Sequence, residues 1–282
     1  MFGANGQLGR ELEEQAKLLD HEFFFFPHQD ADITQFSQIQ RHLKDKNIDL
    51  IINAAAYTKV DAAETEENAA RAVNVLGVRN LLEVARSESI KLVHFSTDFV
   101  FDGAQQVPYA ESSSANPLNV YGRTKQEGET LCLESGLATI IRTSWVYSCF
   151  ESNFVKSIYK KLESGEALKV VDDQIGRPTY AENLAKFLLT NIESWSCVTS
   201  SQIFHFADEG SCSWFEFASR IRDLAGFKNL ISPISSGELN LPAKRPRYSC
   251  LDLSHTKQEF NWSFEPWEAA LGRMLKKYQS LR

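Results

Sequence analysis

Short apolar runs alternate with helical patterns through the first half of the chain. Phe23–Phe26, Asp49–Asn53, Lys91–Ser96 and Ala138–Arg142 are of strand length and rich in aromatic or β-branched residues, and they predict four strands. Between them, Glu64–Arg86 repeats Ala, Glu, Arg, Leu and Val at helical spacing, and Val120–Leu133 carries a second amphipathic pattern. Such alternation requires crossovers. It implies an α/β fold of the doubly wound, Rossmann type: a parallel sheet covered on both faces, with ligands beyond the carboxyl ends of its strands. After Trp145 the strands thin out and the loops carry Gly176, Pro178, Pro233, Gly237, Pro242 and Pro246. Four of the five tryptophans lie at or beyond Trp195, which predicts a second, smaller mixed α/β domain. The expected division is residues 1–148 and 149–282, with some later segments returning to the first domain.

Composition narrows the classes. The 282 residues are 43% hydrophobic and 24% charged, a globular composition rather than a disordered or fibrous one. A net charge of −7 offers no broad basic field for nucleic acid or anionic lipid. No apolar run approaches the ~20 residues of a membrane span, and no basic region followed by an apolar stretch marks a secretory signal. The five cysteines are odd in number and the closest two, Cys197 and Cys212, are 15 apart, so no Cys-x-x-Cys pair exists. A reducing, cytoplasmic setting is expected, with the cysteines as small buried hydrophobes.

Gly3, Gly6 and Gly9 precede a helical segment, Arg10–Leu19. Glycines at this spacing permit a tight turn and bring backbone N–H groups to a pyrophosphate at the positive end of the helix dipole. The motif should follow a strand, yet only Met1 and Phe2 precede it. The expectation is therefore that Met1 is an internal start and that roughly five further residues belong upstream. Past the next strand the chain reads Phe26-Pro27-His28, with no acid placed to reject a 2′-phosphate, so NADPH is expected with some tolerance of NADH. Asp30 and Asp32 are left between ribose contacts and plain turn or cap residues.

Tyr121 and Lys125 stand one turn apart on a predicted helix, and Thr97 lies just past the third strand. These residue types suit carbonyl reduction: a phenol donates the proton, an ammonium lowers its pKa and anchors the nicotinamide ribose, and a hydroxyl holds the carbonyl oxygen. A Tyr-x-x-x-Lys pair alone reads first as a partly buried pair on a helix surface. Its order after the glycine loop, Asn53-Ala54-Ala55-Ala56 and Thr97 is what a nicotinamide site needs. His94, within a strand, is either a satisfied core residue or a catalytic one. Arg177 and Arg245 are either diphosphate clamps or surface ion-pair partners.

These motifs, with Ser96-Thr97-Asp98-Phe99-Val100-Phe101-Asp102-Gly103, Pro117-Leu118-Asn119-Val120-Tyr121-Gly122, Arg142-Thr143-Ser144-Trp145 and Gln174-Ile175-Gly176-Arg177-Pro178-Thr179, closely resemble the extended short-chain dehydrogenases, and among them the dTDP-4-dehydrorhamnose reductases. The resemblance implies NADPH-dependent reduction of the 4-keto group of dTDP-4-dehydro-L-rhamnose to dTDP-L-rhamnose, a donor for surface polysaccharide. It makes Thr97, Tyr121 and Lys125 the catalytic trio. Gly3, Asn5, Gly6, Gln7, Leu8, Asp32, Ile33, Ala54, Ala55, Ala56 and Asn74 would join Tyr121 and Lys125 around the cofactor, with Asn53 on the nicotinamide side. Thr58, Val60, Thr97, Phe99, Trp145, Asn153 and Arg177 would approach the nucleotide sugar. Phe99 departs from the pattern, replacing the usual Tyr and leaving only a ring surface. Glu11, Glu182 and Glu268 match the acids that in some relatives bind Mg²⁺ at a dimer interface, and the chain is expected to be a monomer or a homodimer. Reduction of another nucleotide sugar, or a non-catalytic regulatory role, remains as an alternative.

Overall fold

A computed structural model describes residues 1–282. Its centre is a parallel sheet of β1 (Leu50–Asn53), β2 (Lys91–Thr97), β3 (Ala138–Thr143) and β4 (Gln202–His205), in that spatial order. Consecutive apolar residues in each strand point to opposite faces, as a period of two demands. Ile51, Leu92 and Ile140 join one buried cluster, while Ile52, Val93 and Ile141 join another. This doubly covered sheet is the expected fold class.

The main helices are α1 (Gln7–Ala16), α2 (Phe36–Leu43), α3 (Val78–Ser87), α4 (Val120–Ser135), α5 (Phe154–Glu163), α6 (Ala181–Thr190), α7 (Trp214–Ala225) and α8 (Trp267–Ser280). Ile39, Leu43, Val78, Leu81 and Leu82 from α2 and α3 cover the first face, and Leu12, Leu184, Phe187 and Leu188 from α1 and α6 cover the second. Both α6 and β4 come from the later half of the chain. That half also builds its own core, with Val155, Leu162, Phe217, Ile221, Leu271 and Met274 gathered beside a small parallel pair, Leu168–Val171 with Ile231–Ile234. No helix is long and apolar enough to cross a membrane.

Two expected elements differ. Phe23–Phe26 is not a strand: only Phe26 pairs, through a single bridge to Phe2. Phe2 in turn bridges Asn53, and its N–H donates to the Ile52 carbonyl at 2.9 Å, so Met1 and Phe2 occupy the position between this segment and β1. Alongside residues 23–25 the main-chain contact is the Met1 amino group donating to the Phe24 carbonyl at 2.5 Å, which does not make a ladder. A cavity of about 710 Å³ opens there instead, lined by Phe23, Phe24, Leu50, Ile51 and Ile52 at the amino ends of the strands, away from the carboxyl edge. The helix expected over Glu64–Arg86 is divided into Glu67–Arg71, a π-helical segment Ala72–Gly77, and α3. Inside the π segment the Asn74 side chain accepts from the Tyr57 N–H (2.9 Å) and donates to the Tyr57 carbonyl and Thr124 Oγ1 (3.1 and 3.0 Å). A single inserted residue widens the turn and lets that amide staple the loop after β1 to α4.

Candidate active site

The glycine loop forms a cradle. Gly3 has φ +82°, and a Cβ there would come within 2.5 Å of the Ala55 nitrogen; one at Gly9 would come within 2.4 Å of the Ala4 carbonyl oxygen. Only glycine fits this approach. Gly6 caps α1 with no side-chain hydrogen bond, so the first-turn N–H groups of Gln7 and Leu8 are left for an anion. Ala54, Ala55 and Ala56 follow β1 beside Gly3, and Asn53 Oδ1 fixes this turn by accepting from the Ala55 N–H at 3.1 Å. Asn5 touches Gln29 at the exposed rim. Asp32 accepts from the Thr34 N–H at 2.9 Å, a turn role, and the buried Ile33 has its carbonyl held by Asn80.

The expected trio converges at the carboxyl end of β2. Asn119 caps α4, its Oδ1 accepting from the Gly122 N–H at 2.7 Å, which places Tyr121 and Lys125 on the inward face of the first two turns. Burial pushes the Tyr121 phenol up to about 12; a hydrogen bond with Thr97 works downward and the nearby Asp98 works upward. Thr97 Oγ1 donates to Asp98 Oδ1 (3.1 Å) and accepts from the Phe99 N–H (3.2 Å). Burial lowers Lys125 to about 8, opposed by Glu129 and Cys132; its Nζ donates to the Phe95 carbonyl at 2.6 Å. Beneath it, Glu129 and Arg142 form a buried two-point ion pair at 2.8 and 2.7 Å. A phenol that keeps its proton until late, with an ammonium one turn away, can donate to an oxygen that gains charge.

Around this centre the expected substrate residues have distinct fates. Phe99 packs edge-on to Tyr121, ring centroids 5.9 Å apart. Trp145, at φ +48°, lies flat on Trp214 with centroids 3.5 Å apart, and Gly176 passes under its ring so closely that a Cβ would meet it at 2.5 Å. Thr58 is exposed and Val60 opens a short helix, Val60–Ala63. Asn153 caps α5 and donates to Gln7 Oε1 at 2.9 Å, so both ends of its amide are engaged. Arg177 donates to the Gly210 carbonyl at 3.2 Å but leaves its buried Nε without a partner. Arg245 is no free clamp: it makes a two-point ion pair with Asp61 at 3.0 and 2.6 Å.

Sequence reasoning passed over Asp98. It is buried, raised to about 7 by that burial, and accepts from Ser249 Oγ at 2.6 Å. Its place directly after Thr97 was the available signal.

Comparison with known proteins agrees with this architecture. Residues 1–280 match the family described as the RmlD substrate binding domain. A dTDP-4-dehydrorhamnose reductase of Aggregatibacter actinomycetemcomitans is 39% identical, over 95% of each chain. The chain belongs to the dTDP-4-dehydrorhamnose reductase family. A dTDP-4-keto-6-deoxy-D-glucose reductase of Streptomyces niveus is 35% identical over 95% of this chain and 93% of its own. The crystal structure of a Bacillus anthracis dTDP-4-dehydrorhamnose reductase in complex with NADP is similar with a TM-score of 0.92, at 36% identity over 98% of this chain and 97% of that one.

The metal expected from the family likeness does not fit. Glu11 is fully buried and accepts from Ser148 Oγ at 2.6 Å, with Lys277 Nζ 3.3 Å away. Glu182 is engaged by Lys186, Arg273 and Tyr180, and no group of acids, His or Cys has metal-binding geometry. Glu268 forms no part of this network. Ammonium and guanidinium groups already neutralise two of the three carboxylates that Mg²⁺ would need, Glu11 and Glu182. Of the five free cysteines, four are buried as expected and Cys197 is exposed.

Proposed function

We propose that the chain reduces the 4-keto group of dTDP-4-dehydro-L-rhamnose with NADPH. The observation that carries this is the convergence of Thr97, Tyr121 and Lys125 at the carboxyl edge of the sheet, next to a glycine cradle shaped for a pyrophosphate. The bound cofactor supplies the hydride. Gly3, Asn5, Gly6, Gln7 and Leu8 hold its diphosphate, with Asp32 and Ile33 toward the adenosine and Ala54, Ala55, Ala56 and Asn74 along its nicotinamide side. Lys125 holds the ribose and keeps positive charge near the phenol. Tyr121 passes its hydroxyl proton to the carbonyl oxygen, which Thr97 holds in place; Phe99 offers a ring surface to the sugar, while Trp145, covered by Trp214 and Gly176, is left to meet the substrate with its ring edge. Residues 1–148 carry the cofactor and 149–282 chiefly the nucleotide sugar. The free cysteines accord with a cytoplasmic setting.

The test follows NADPH oxidation with dTDP-4-dehydro-L-rhamnose and identifies the product. Tyr121→Phe should lower turnover by roughly two or more orders of magnitude while leaving NADPH binding nearly intact, and an unchanged rate would overturn the assignment. The Streptomyces niveus relative supports a second reading, reduction of a different 4-keto sugar nucleotide. Preference for dTDP-4-keto-6-deoxy-D-glucose in the same assay would decide for it.

A further inference from the structure

Directly beneath Lys125 lies a line of buried polar atoms that the proposed chemistry does not use. Asn53 ends β1, His94 lies in β2 and Lys125 lies on α4; the three are 1%, 0% and 2% exposed. Asn53 Nδ2 is 3.1 Å from His94 Nδ1, and His94 Nε2 is 3.3 Å from Lys125 Nζ.

The donor and acceptor roles along this line are set from one end. The Ala55 N–H can only donate, and it meets Asn53 Oδ1 at 3.1 Å, so the carboxamide turns its NH₂ toward the imidazole. His94 Nδ1 therefore presents a lone pair. Burial keeps the ring neutral, holding His94 well below its ordinary value whether or not Lys125 is charged. A neutral ring has one N–H, here Nε2–H, and it points at the lysine. That hydrogen finds an acceptor only in an uncharged amine; against an ammonium it would stand proton to proton.

We propose that His94 is a positioning residue for Lys125: its Nε2–H, oriented by Asn53, disfavours the ammonium while the ribose site is empty, so that the lysine gives up its proton more readily there than it would without the imidazole. Burial acts in the same direction, but no other side chain facing Lys125 does. On its own helix Glu129 and Cys132 both favour the charged form, Tyr121 is neutral, and Arg142 from β3 is already paired with Glu129. With burial opposing them, Lys125 stands at about 8.

The proposal rests on Lys125 being the ribose-holding lysine, and one readout is independent of that. In the cofactor-free protein, ¹⁵N–¹H imidazole spectra should show His94 as the neutral Nε2–H form; an Nδ1–H ring would overturn the proposal even if the enzyme is active. The second readout is NADP⁺ affinity against pH. In the wild type it should fall with a midpoint near 8. His94→Asn keeps an acceptor for Asn53 and removes the group against Lys125, so it should move that midpoint upward by about half a pH unit or more, roughly threefold in the proton equilibrium. His94→Gln, which can turn its amide oxygen to the ammonium, should move it the same way. Unmoved midpoints in both variants would reduce His94 to core filling. Failure of turnover with these midpoints intact would count against the proposed function alone.

Discussion

Gly122 and Gly272 both sit inside helices, and the same substitution should act on them with opposite sign. At Gly272 in α8 an added Cβ meets nothing within 4 Å. Gly272→Ala should therefore express the helix preference for alanine alone, a gain of about 0.5–1 kcal/mol. At Gly122 in α4 the Cβ would stand 2.2 Å from the Phe99 carbonyl oxygen and 2.9 Å from Pro117 Cβ. The carbonyl contact is some 0.8 Å short of the 3.0 Å floor for real Cβ contacts, and its other side is backbone that cannot rotate away. The start of α4 must then move off the 98–100 turn, separating Tyr121 from Thr97. Overpacking of this kind costs about 1–3 kcal/mol, partly offset by the same helix preference. Displacement of a catalytic group by about 1 Å costs on the order of a hundredfold in rate. Denaturant melts of both variants with kcat/KM for NADPH oxidation provide the assay. If Gly122→Ala kept its melting point and stayed within twofold of wild-type kcat/KM, the claim that the close approach of α4 to this turn sets the site would be wrong.

Glu129→Gln leaves Arg142 buried without its counter-charge and should destabilise the fold by about 3–5 kcal/mol, read by denaturant titration. Asn153→Ala removes the cap of α5 and the link to Gln7; the expected cost is about 1 kcal/mol, with weakened NADPH affinity as α1 loses a support. Lys125 gives a pH dependence with a definite sign. The folded lysine loses its proton near 8, while the unfolded chain keeps it to the ordinary 10.5. Between those values the unfolded state binds the extra proton, so this group's contribution to stability rises with pH while activity falls. Comparing wild-type and Lys125→Met melts across that window isolates the effect: the wild type should gain stability relative to the variant as pH rises from about 8 toward 10.5, and a flat or falling difference would contradict the assignment.

How far the sequence could be read depended on whether local pattern or distant packing fixed each feature. The Ile51-Ile52, Leu92-Val93 and Ile140-Ile141 pairs report a sheet buried on both faces, because a two-residue period leaves no other way to bury both neighbours. Tyr121 and Lys125 were legible because four residues on a helix is a spatial statement in itself. Phe23–Phe26 failed because a strand needs a partner as well as a composition, and the segment finds only the short stretch from Met1 to Ala4, which bonds to Phe24 and Phe26 alone. The π segment was hidden because its cause, the Asn74 amide reaching Tyr57 and Thr124, lies across 17 and 50 residues of sequence. The role of Arg245 was hidden for the same reason: its partner, Asp61, is 184 residues away. The Mg²⁺ expectation rested on which acids are present, and the structure turns on which cations had already reached them.

The long-range contacts share one destination. The segment from Ala243 to Ser249 is tied to the first half at three points: Arg245 to Asp61, the Lys244 carbonyl to Asn119 Nδ2 at 2.7 Å, and Ser249 Oγ to Asp98 Oδ2 at 2.6 Å. Asn119 caps the helix that carries Tyr121, and Asp98 receives the Thr97 hydroxyl. A loop of the later half therefore holds Tyr121, the proposed proton donor, and Thr97 through one residue each. Losing these ties would free the cap of α4 and the partner of Thr97 together. The arrangement of Tyr121 and Thr97 in the first half is thus completed by hydrogen bonds from the second, so a substitution in residues 243–249 can disturb the site without touching either residue.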